Sequence, residues 1–263
     1  MSYEFISAER AQGVTTVTLQ RPDVLNSFHR PMAREVQRVL AAAATDAETR
    51  ALLILGSGRA FCAGQDLEEA VPPGADVLPD VGDIVRDSFN PVVRAIRELP
   101  KPVVCAVNGV AAGAGANIAL ACDFVIAGEG ASFIQAFAKI GLVPDSGGSY
   151  FLPRLVGRAR ATAMMMLGER VKAEQALAWG LIHEVVPDAA LFDVAHSLAV
   201  RLASMPTMAL GLMKRLLDAS ATNDLDAQLA LEEALQREAG RSDDYVEGVR
   251  AFQEKRSPHF AGR

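Results

Sequence analysis

The sequence predicts an α/β fold, with a mostly parallel sheet in the core and a helical C-terminal region. Short apolar segments alternate with segments of helical periodicity through the first part of the chain. After Gly157 the pattern becomes almost entirely helical. The composition is 50% apolar and 22% charged over 263 residues, which is typical of a globular protein with one large or two small domains.

The N-terminal part begins with two β-branched segments, 3–10 and 14–20, that predict a hairpin across Gln12 and Gly13. Short apolar runs that end in glycine or precede it predict buried parallel strands at 51–57, 102–109 and 123–128. Helices are expected at 31–44 and 83–98. Residues 61–70 and 111–122 read as small-residue turns that lead into helices. Proline, glycine and aspartate predict a mobile surface loop at 71–82.

The C-terminal part reads as a series of helices with one strand, at 181–186, among them. We therefore expect a core of residues 1–200 and a helical region of residues 201–263. The predicted helices are 158–167, 173–179, 188–204, 206–219, 223–239 and 243–253.

Charge and cysteine content exclude several classes. The net charge of -6 gives no general attraction for a polyanion, so we expect no nucleic-acid partner. We expect no membrane span and no signal segment, and hence a cytoplasmic protein. Cys62, Cys105 and Cys122 are widely spaced, which argues against a disulfide framework or a zinc site. No metal site is predicted.

Several glycine-rich segments do not complete a known motif. The segment from Gly113 to Ile118 lacks the third glycine of a dinucleotide fingerprint, and no suitably placed acid follows it. "GSGRAFCAG" lacks the Gly-Lys-Ser/Thr of a phosphate loop. No serine lies in a G-x-S-x-G elbow, and the four histidines show no ligand spacing. We therefore expect no separate cofactor.

Two segments, "LLILGSGRAFCAGQDL" and "VVCAVNGVAAGAGANIAL", each combine a buried strand, a small-residue turn and a helix start. Free N–H groups at two such helix starts could point at one oxygen and form an oxyanion hole. Tight packing of helix on strand produces the same pattern, so both interpretations stay open on this evidence.

These segments resemble the crotonase (enoyl-CoA hydratase/isomerase) superfamily. The resemblance extends through "FAKIGLVPDSGGSYFLPRLVGRARA", "ERVKAEQALAWGLIHEVV" and "AFQEKRSPHF" and covers essentially the whole chain. It implies a spiral of ββα units that carries the acyl-CoA site, followed by C-terminal helices that mediate oligomerisation. A homotrimer or a dimer of trimers is implied, and a complex with a hydratase of the same pathway is a further expectation.

The resemblance also implies site residues. The backbone amides of Gln65 and Ala114 would hold the carbonyl of an acyl-CoA thioester, and the stretch Gln65–Glu68 would line the adenine pocket. The residues implied to contact the substrate or its coenzyme A are Ala63, Gln65, Asp66, Leu67, Glu68, Gly115, Asn117, Phe137 and Lys255. From its charge and its place near the C-terminus, Lys255 could reach a coenzyme A phosphate of its own or a neighbouring subunit, or it could be a solvated helix end.

Hydratases of the superfamily use two glutamates, and the matching positions here are Asn117 and Phe137. This departure argues against water addition, which needs groups to activate water and to donate a proton. Asp145 is the acid left near the thioester, and it suits a 1,3-proton shift. Phe137, Leu142, Val143 and Phe151 would form an apolar pocket that raises the pKa of Asp145. Asn117 would either orient a polar substrate atom or serve only as a first-turn helix residue.

Local rules alone interpret Asp145 differently, as the cap of the helix that follows. Three alternative functions also stay open: an enoyl-CoA hydratase, a dehalogenase with relocated groups, and a subunit that binds acyl-CoA without catalysis. The leading prediction is an acyl-CoA isomerase with Asp145 as acid and base.

Overall fold

The computed structural model describes residues 3–74 and 76–263. Ala75, inside the predicted loop 71–82, and residues 1 and 2 lie outside the described residues. The described strands are β1 (Ile6–Ala11), β2 (Val14–Leu19), β3 (Ala51–Gly56), β4 (Ala60–Cys62), β5 (Val103–Val107), β6 (Val110–Ala112), β7 (Phe124–Gly128), β8 (Ser132–Ile134), β9 (Arg170–Lys172) and β10 (Glu184–Val186).

The described α-helices are α1 (Arg30–Thr45), α2 (Leu67–Ala70), α3 (Val81–Ile84), α4 (Asn90–Glu98), α5 (Ala114–Leu120), α6 (Gly148–Leu167), α7 (Ala173–Ala178), α8 (Leu191–Ala203), α9 (Thr207–Ser220), α10 (Leu225–Ala239) and α11 (Asp243–Glu254). The helix predicted at 83–98 is a composite of α3, a π-helical segment at Val85–Phe89, and α4. α6 is broken at Gly157, whose φ of 76° is not helical.

The larger sheet has six strands in the order β1-β2-β3-β5-β7-β10. β1 and β2 form the predicted antiparallel hairpin, and all later neighbours run parallel. Side chains on opposite faces of β3, such as Leu52 and Leu53, enter two different core clusters. Because both faces of the sheet are covered, its central strands read as continuous apolar runs rather than as alternating ones.

The smaller sheet has four strands in the order β4-β6-β8-β9, and only β9 is antiparallel to its neighbour. Each turn of the chain contributes one strand to each sheet before the next helix, as in β3-β4-α2 and β5-β6-α5. This arrangement confirms the predicted ββα spiral. The sequence interpretation missed all four of these three-residue strands and treated β4 and β6 as parts of turns.

Helices α9 to α11 lie within the predicted C-terminal region 201–263, and α8 ends just inside it. α8 packs against the larger sheet through Leu191, Ala195 and Leu198, which share a core cluster with Leu53 and Val104. The predicted boundary between residues 200 and 201 therefore falls inside a helix that belongs to the core packing. None of the described helices combines the length and the apolar character that a membrane span requires.

Candidate acyl-CoA site

Two glycine-bearing turns meet at the ends of the neighbouring strands β4 and β6. Gly64 and Gly113 have φ values of 97° and 51°, a region that favours glycine. A Cβ atom on Gly64 would lie 2.9 Å from the Ala112 carbonyl oxygen and 3.6 Å from the Ala114 nitrogen. The two turns are thus close enough for their amides to serve one ligand atom.

The amides of Gln65 and Ala114 are available at these turns. Hydrogen bonds from Phe28 to the Gly64 carbonyl and from Asp66 to the Phe28 carbonyl flank the Gln65 N–H but do not use it. Ala114 is the first residue of α5, so its N–H has no acceptor within the helix. Within residues 3–74 and 76–263, neither amide has a hydrogen-bond partner. A pair of free amides at adjacent turns is the arrangement that an oxyanion hole requires.

A cavity of about 840 Å³ opens beside these amides. Apart from the three polar side chains of Ser27, Gln65 and Asp145, its wall is made of glycine and apolar residues. The lining residues are Ser27, Ala63, Gly64, Gln65, Leu67, Ala70, Val71, Leu78, Pro79, Val81, Gly113, Ala114, Ala136, Phe137, Ile140, Leu142 and Asp145. Asp145 is the ionisable residue among them.

The Asp145 carboxylate has one hydrogen bond, which Ser146 Oγ donates to its Oδ1 at 2.8 Å. No group within the described residues donates to Oδ2. Burial raises the pKa of Asp145, and the hydrogen bond from Ser146 partly opposes that shift. A half-buried carboxylate with a free oxygen and a raised pKa is well suited to accept a proton from carbon.

Asp145 does not cap the helix that follows it. α6 begins at Gly148, and its N-cap is Gly147, which makes no side-chain capping bond. The local interpretation of Asp145 as a cap is therefore wrong. Its backbone carbonyl instead accepts hydrogen bonds from the Gly148 N–H and from Asn117 Nδ2, each at 2.9 Å. The main chain is anchored while the carboxylate keeps a free oxygen.

Asn117 supports this loop from behind. The residue has no exposed surface, its Nδ2 donates to the Asp145 carbonyl, and its Oδ1 accepts from Gln135 Nε2 at 2.8 Å. Both ends of the side chain are thus used inside the protein, and the residue does not line the cavity. This placement corrects the expectation that Asn117 contacts the substrate. Asn117 is also more than a first-turn helix residue, because its side chain joins Gln135 to the Asp145 carbonyl.

The other predicted residues divide into two groups. Ala63, Gln65, Leu67, Ala114, Phe137 and Asp145 all line the cavity. The Asp66 carboxylate instead accepts from the Glu68 N–H at the start of α2 and pairs with Arg21 at 2.8 Å. Glu68 is exposed, and Lys255 is exposed at the end of α11.

Gly115 has a packing role that the sequence did not reveal. A Cβ atom there would lie 2.5 Å from the Cys62 carbonyl oxygen and 2.6 Å from its Sγ, so the absence of a side chain lets α5 approach β4. All three cysteines are buried and free. Burial raises the pKa of Cys62 to about 12, which makes its thiol unreactive.

The apolar pocket around Asp145 differs from the predicted set. Phe137 and Leu142 line the cavity as expected. Val143 is 80% exposed and Phe151 lines a different cavity, so these two expectations are wrong. The sequence analysis missed Val71, Leu78, Pro79 and Val81, which belong to the predicted surface loop. Their apolar character within a proline- and glycine-rich segment was the available signal.

No group of three or more metal-ligating side chains occurs in the described part of the chain.

A family model described as "Enoyl-CoA hydratase/isomerase" matches residues 9–263. The chain belongs to the enoyl-CoA hydratase/isomerase family. This confirms the predicted family and the prediction that the chain is an enzyme. It also agrees with the two free amides beside an apolar cavity.

The chain is similar over its full length to several individual proteins. It is 51% identical over 260 residues to a 1,2-epoxyphenylacetyl-CoA isomerase of Escherichia coli K12, with 99% of both chains covered. It is 46% identical over 263 residues to a Rhodobacter capsulatus protein named "Probable enoyl-CoA hydratase", with both chains fully covered. The crystal structure of an enoyl-CoA hydratase from Bacillus anthracis has a TM-score of 0.93 at 33% identity, covering 99% of this chain and 100% of that one.

Proposed function

We propose that this enoyl-CoA hydratase/isomerase family member is an isomerase that moves a proton along its acyl-CoA substrate with Asp145 as acid and base. The observation that carries the proposal is the cavity itself, where Asp145 is the ionisable side chain among the described lining residues. Simple hydration uses two acid–base groups, whereas a proton shift uses one group twice. Asn117 and Phe137 stand at the two positions that match the hydratase glutamates, so neither carboxylate is present.

The proposed step begins with the thioester carbonyl between the Gln65 and Ala114 amides. Asp145 takes a proton from the carbon next to that carbonyl, and the electron pair of the broken C–H bond moves into the carbonyl to form an enolate. The two amides stabilise the negative oxygen. The same carboxyl group then returns the proton farther along the acyl chain, so a 3-enoyl thioester becomes the conjugated 2-enoyl isomer. No atom is gained or lost.

For the substrate we propose 2-(1,2-epoxy-1,2-dihydrophenyl)acetyl-CoA, which would be converted to its isomer oxepin-CoA, with double-bond shifting in unsaturated acyl-CoAs as a second activity. The 51% identity to the E. coli enzyme of that name supports this choice. The largely apolar wall of the 840 Å³ cavity is compatible with an aromatic or aliphatic acyl group. The coenzyme A is part of the substrate, and we propose no further cofactor.

The test compares wild type with Asp145→Asn on a 3-enoyl-CoA in deuterated water. Asp23→Asn, at an exposed position, is the matched control. We expect wild type and the control to form the 2-enoyl isomer and to exchange deuterium at the α carbon. Asp145→Asn should be slower by roughly 10²–10⁴-fold, the usual contribution of a general acid–base group. Unchanged turnover in Asp145→Asn would refute the proposal.

Assays with further acyl-CoA substrates separate the alternative functions. Rapid hydration of crotonyl-CoA by wild type would favour the hydratase named for the Rhodobacter capsulatus relative. Binding of acyl-CoA with neither isomerisation nor deuterium exchange would favour a non-catalytic binding subunit. Incubation with the epoxide substrate tests the proposed aromatic specificity. An isomerisation should give a product of unchanged mass with a different absorption spectrum.

We also propose that the chain forms a homotrimer or a dimer of trimers through its C-terminal region. Leu217, Leu225 and Phe252 in α9, α10 and α11 are 72%, 72% and 85% exposed, and large apolar side chains are costly to leave in water. Sedimentation analysis of the purified chain tests the mass of the assembly. A monomer at micromolar concentration would contradict this part of the proposal.

A further inference from the structure

Ser146, next to Asp145, has an unusual backbone conformation. Its φ is 51°, and only 1% of the residue is exposed. Residues with a Cβ atom rarely adopt this left-handed region, and serine is not among the residues that tolerate it best. Such strain persists where the surrounding structure requires it and is concentrated at functional sites. Gly147, with a φ of 78°, has no comparable cost.

The strained conformation directs the Ser146 hydroxyl to the neighbouring carboxylate. Ser146 Oγ donates to Asp145 Oδ1 at 2.8 Å, and within the described residues no other group donates to that carboxylate. The Asp145 main chain is fixed separately, since its carbonyl accepts from Asn117 and Gly148. The Asp145 backbone and one of its carboxylate oxygens are therefore both held. Rotation of the carboxylate that exchanges Oδ1 with Oδ2 would break the hydrogen bond from Ser146.

We infer that Ser146 is a positioning residue, whose hydroxyl holds Oδ1 so that Oδ2 is the oxygen that takes and returns the proton. The inference rests on the proposed role of Asp145. Since Ser146 is almost fully buried and absent from the cavity wall, it acts through Asp145 and not on the substrate. A fixed Oδ2 matters because one oxygen must reach two carbon atoms of the acyl chain in succession, and small errors in position are costly in rate.

Two substitutions separate the hydroxyl from the backbone. Ser146→Ala removes the hydroxyl and keeps the strained φ, whereas Ser146→Gly removes the hydroxyl and adopts a φ of 51° without strain. We therefore expect the glycine variant to fold even where the strained φ destabilises the alanine variant. Ser149→Ala is the control, because Ser149 is exposed in the same segment.

We expect both Ser146 variants to lose roughly tenfold in kcat with an unchanged KM, because the carboxylate is less well positioned. The acid limb of the pH profile should move to higher pH in both, since the lost donor no longer favours the ionised carboxylate and the pKa of Asp145 rises. Loss of packing alone would not move this limb. Ser149→Ala should match wild type in kcat and in pH profile.

Three results would overturn the inference: wild-type kcat in both variants, a loss in the alanine variant that glycine restores, or a loss of kcat without movement of the acid limb. Asp145→Asn distinguishes the two levels of the proposal. If Asp145→Asn is inactive while the Ser146 variants are normal, only the positioning role fails. If Asp145→Asn is fully active, the acid–base role fails and the positioning role fails with it.

Discussion

The buried pair of Asn117 and Gln135 provides the sharpest energetic test of how the Asp145 loop is held. Neither residue has exposed surface, and Asn117 links Gln135 Nε2 to the Asp145 carbonyl. In Asn117→Ala, Gln135 Nε2 loses its acceptor, while the Asp145 carbonyl keeps the Gly148 N–H. An unsatisfied buried donor costs about 1–3 kcal/mol and the lost bond to the carbonyl about 1 kcal/mol, so the expected destabilisation is about 2–4 kcal/mol.

Gln135→Leu behaves differently because Gln135 Oε1 already has no hydrogen-bond partner among residues 3–74 and 76–263. This substitution removes that unsatisfied oxygen together with Nε2, although it leaves Asn117 Oδ1 without a donor. Once Gln135 is leucine, Asn117→Ala no longer strands Nε2. Once Asn117 is alanine, Gln135→Leu likewise no longer leaves Asn117 Oδ1 unsatisfied. At about 1–3 kcal/mol for each of these two atoms, the double variant should be more stable than the sum of the single effects by about 2–6 kcal/mol.

The assay is urea unfolding of all four proteins, with the double-mutant cycle as the readout. Asn223 and Gln228 give a matched control, because the same pair of side chains is joined there by a 3.0 Å hydrogen bond at a half-buried site. The cycle of Asn223→Ala and Gln228→Leu should show little coupling, since water replaces each lost partner. Equal coupling in the two cycles, or strict additivity at the buried pair, would refute the reasoning.

The site supports four further predictions. Ala114→Pro should keep the fold, since proline is tolerated at the first position of a helix, but should lower kcat by roughly 10²–10³-fold because one oxyanion donor is lost. Leu225→Pro, at the first position of α10, is the control. Wild-type activity in Ala114→Pro would contradict the assignment of the Ala114 amide. Activity should be lost as the pH falls through the raised pKa of Asp145, and hence at a higher pH than for an exposed aspartate, as a kcat/KM profile would show. The raised pKa of Asp145 means that its ionised carboxylate destabilises the folded state, so Asp145→Asn should have a higher Tm than wild type at neutral pH. The difference in Tm should shrink as the pH falls and the wild-type carboxylate becomes protonated. A lower Tm for Asp145→Asn at neutral pH would contradict this reasoning. Gly115→Ala should lower stability, measured by urea unfolding, because its Cβ would lie 2.5 Å from the Cys62 carbonyl oxygen.

The parts of the fold that the sequence predicts are those in which local chemistry decides the structure. β3, β5 and β7 are apolar throughout because both faces of the sheet are covered, and that signal lies within each segment. The four strands of the smaller sheet have three residues each, too few for a pattern. They exist because distant segments pair, and a single sequence does not carry that information.

The site shows the same division. The turns at Gly64 and Gly113 were predicted from small residues between a strand and a helix, and the structure brings them together. The role of Asn117 could not be predicted, because its partners are 18 and 28 positions away in the chain. The 71–82 loop is largely exposed, as its proline and glycine content predicts, but that Leu78 also lines the cavity follows only from the tertiary fold.

The surroundings of Asp145 balance two opposing needs. A carboxylate that many donors stabilise is a weak base, whereas one without fixed contacts is poorly positioned for transfer between two carbons. Here the anchoring bonds go to the backbone carbonyl, through Asn117 and Gly148, where they do not diminish the basicity of the carboxylate. Within the described residues only Ser146 donates a hydrogen bond to the carboxylate, and it occupies one oxygen. The loop thus restricts the position of Asp145 while leaving its pKa raised by burial, which is the combination that a single acid–base group needs to carry a proton in both directions.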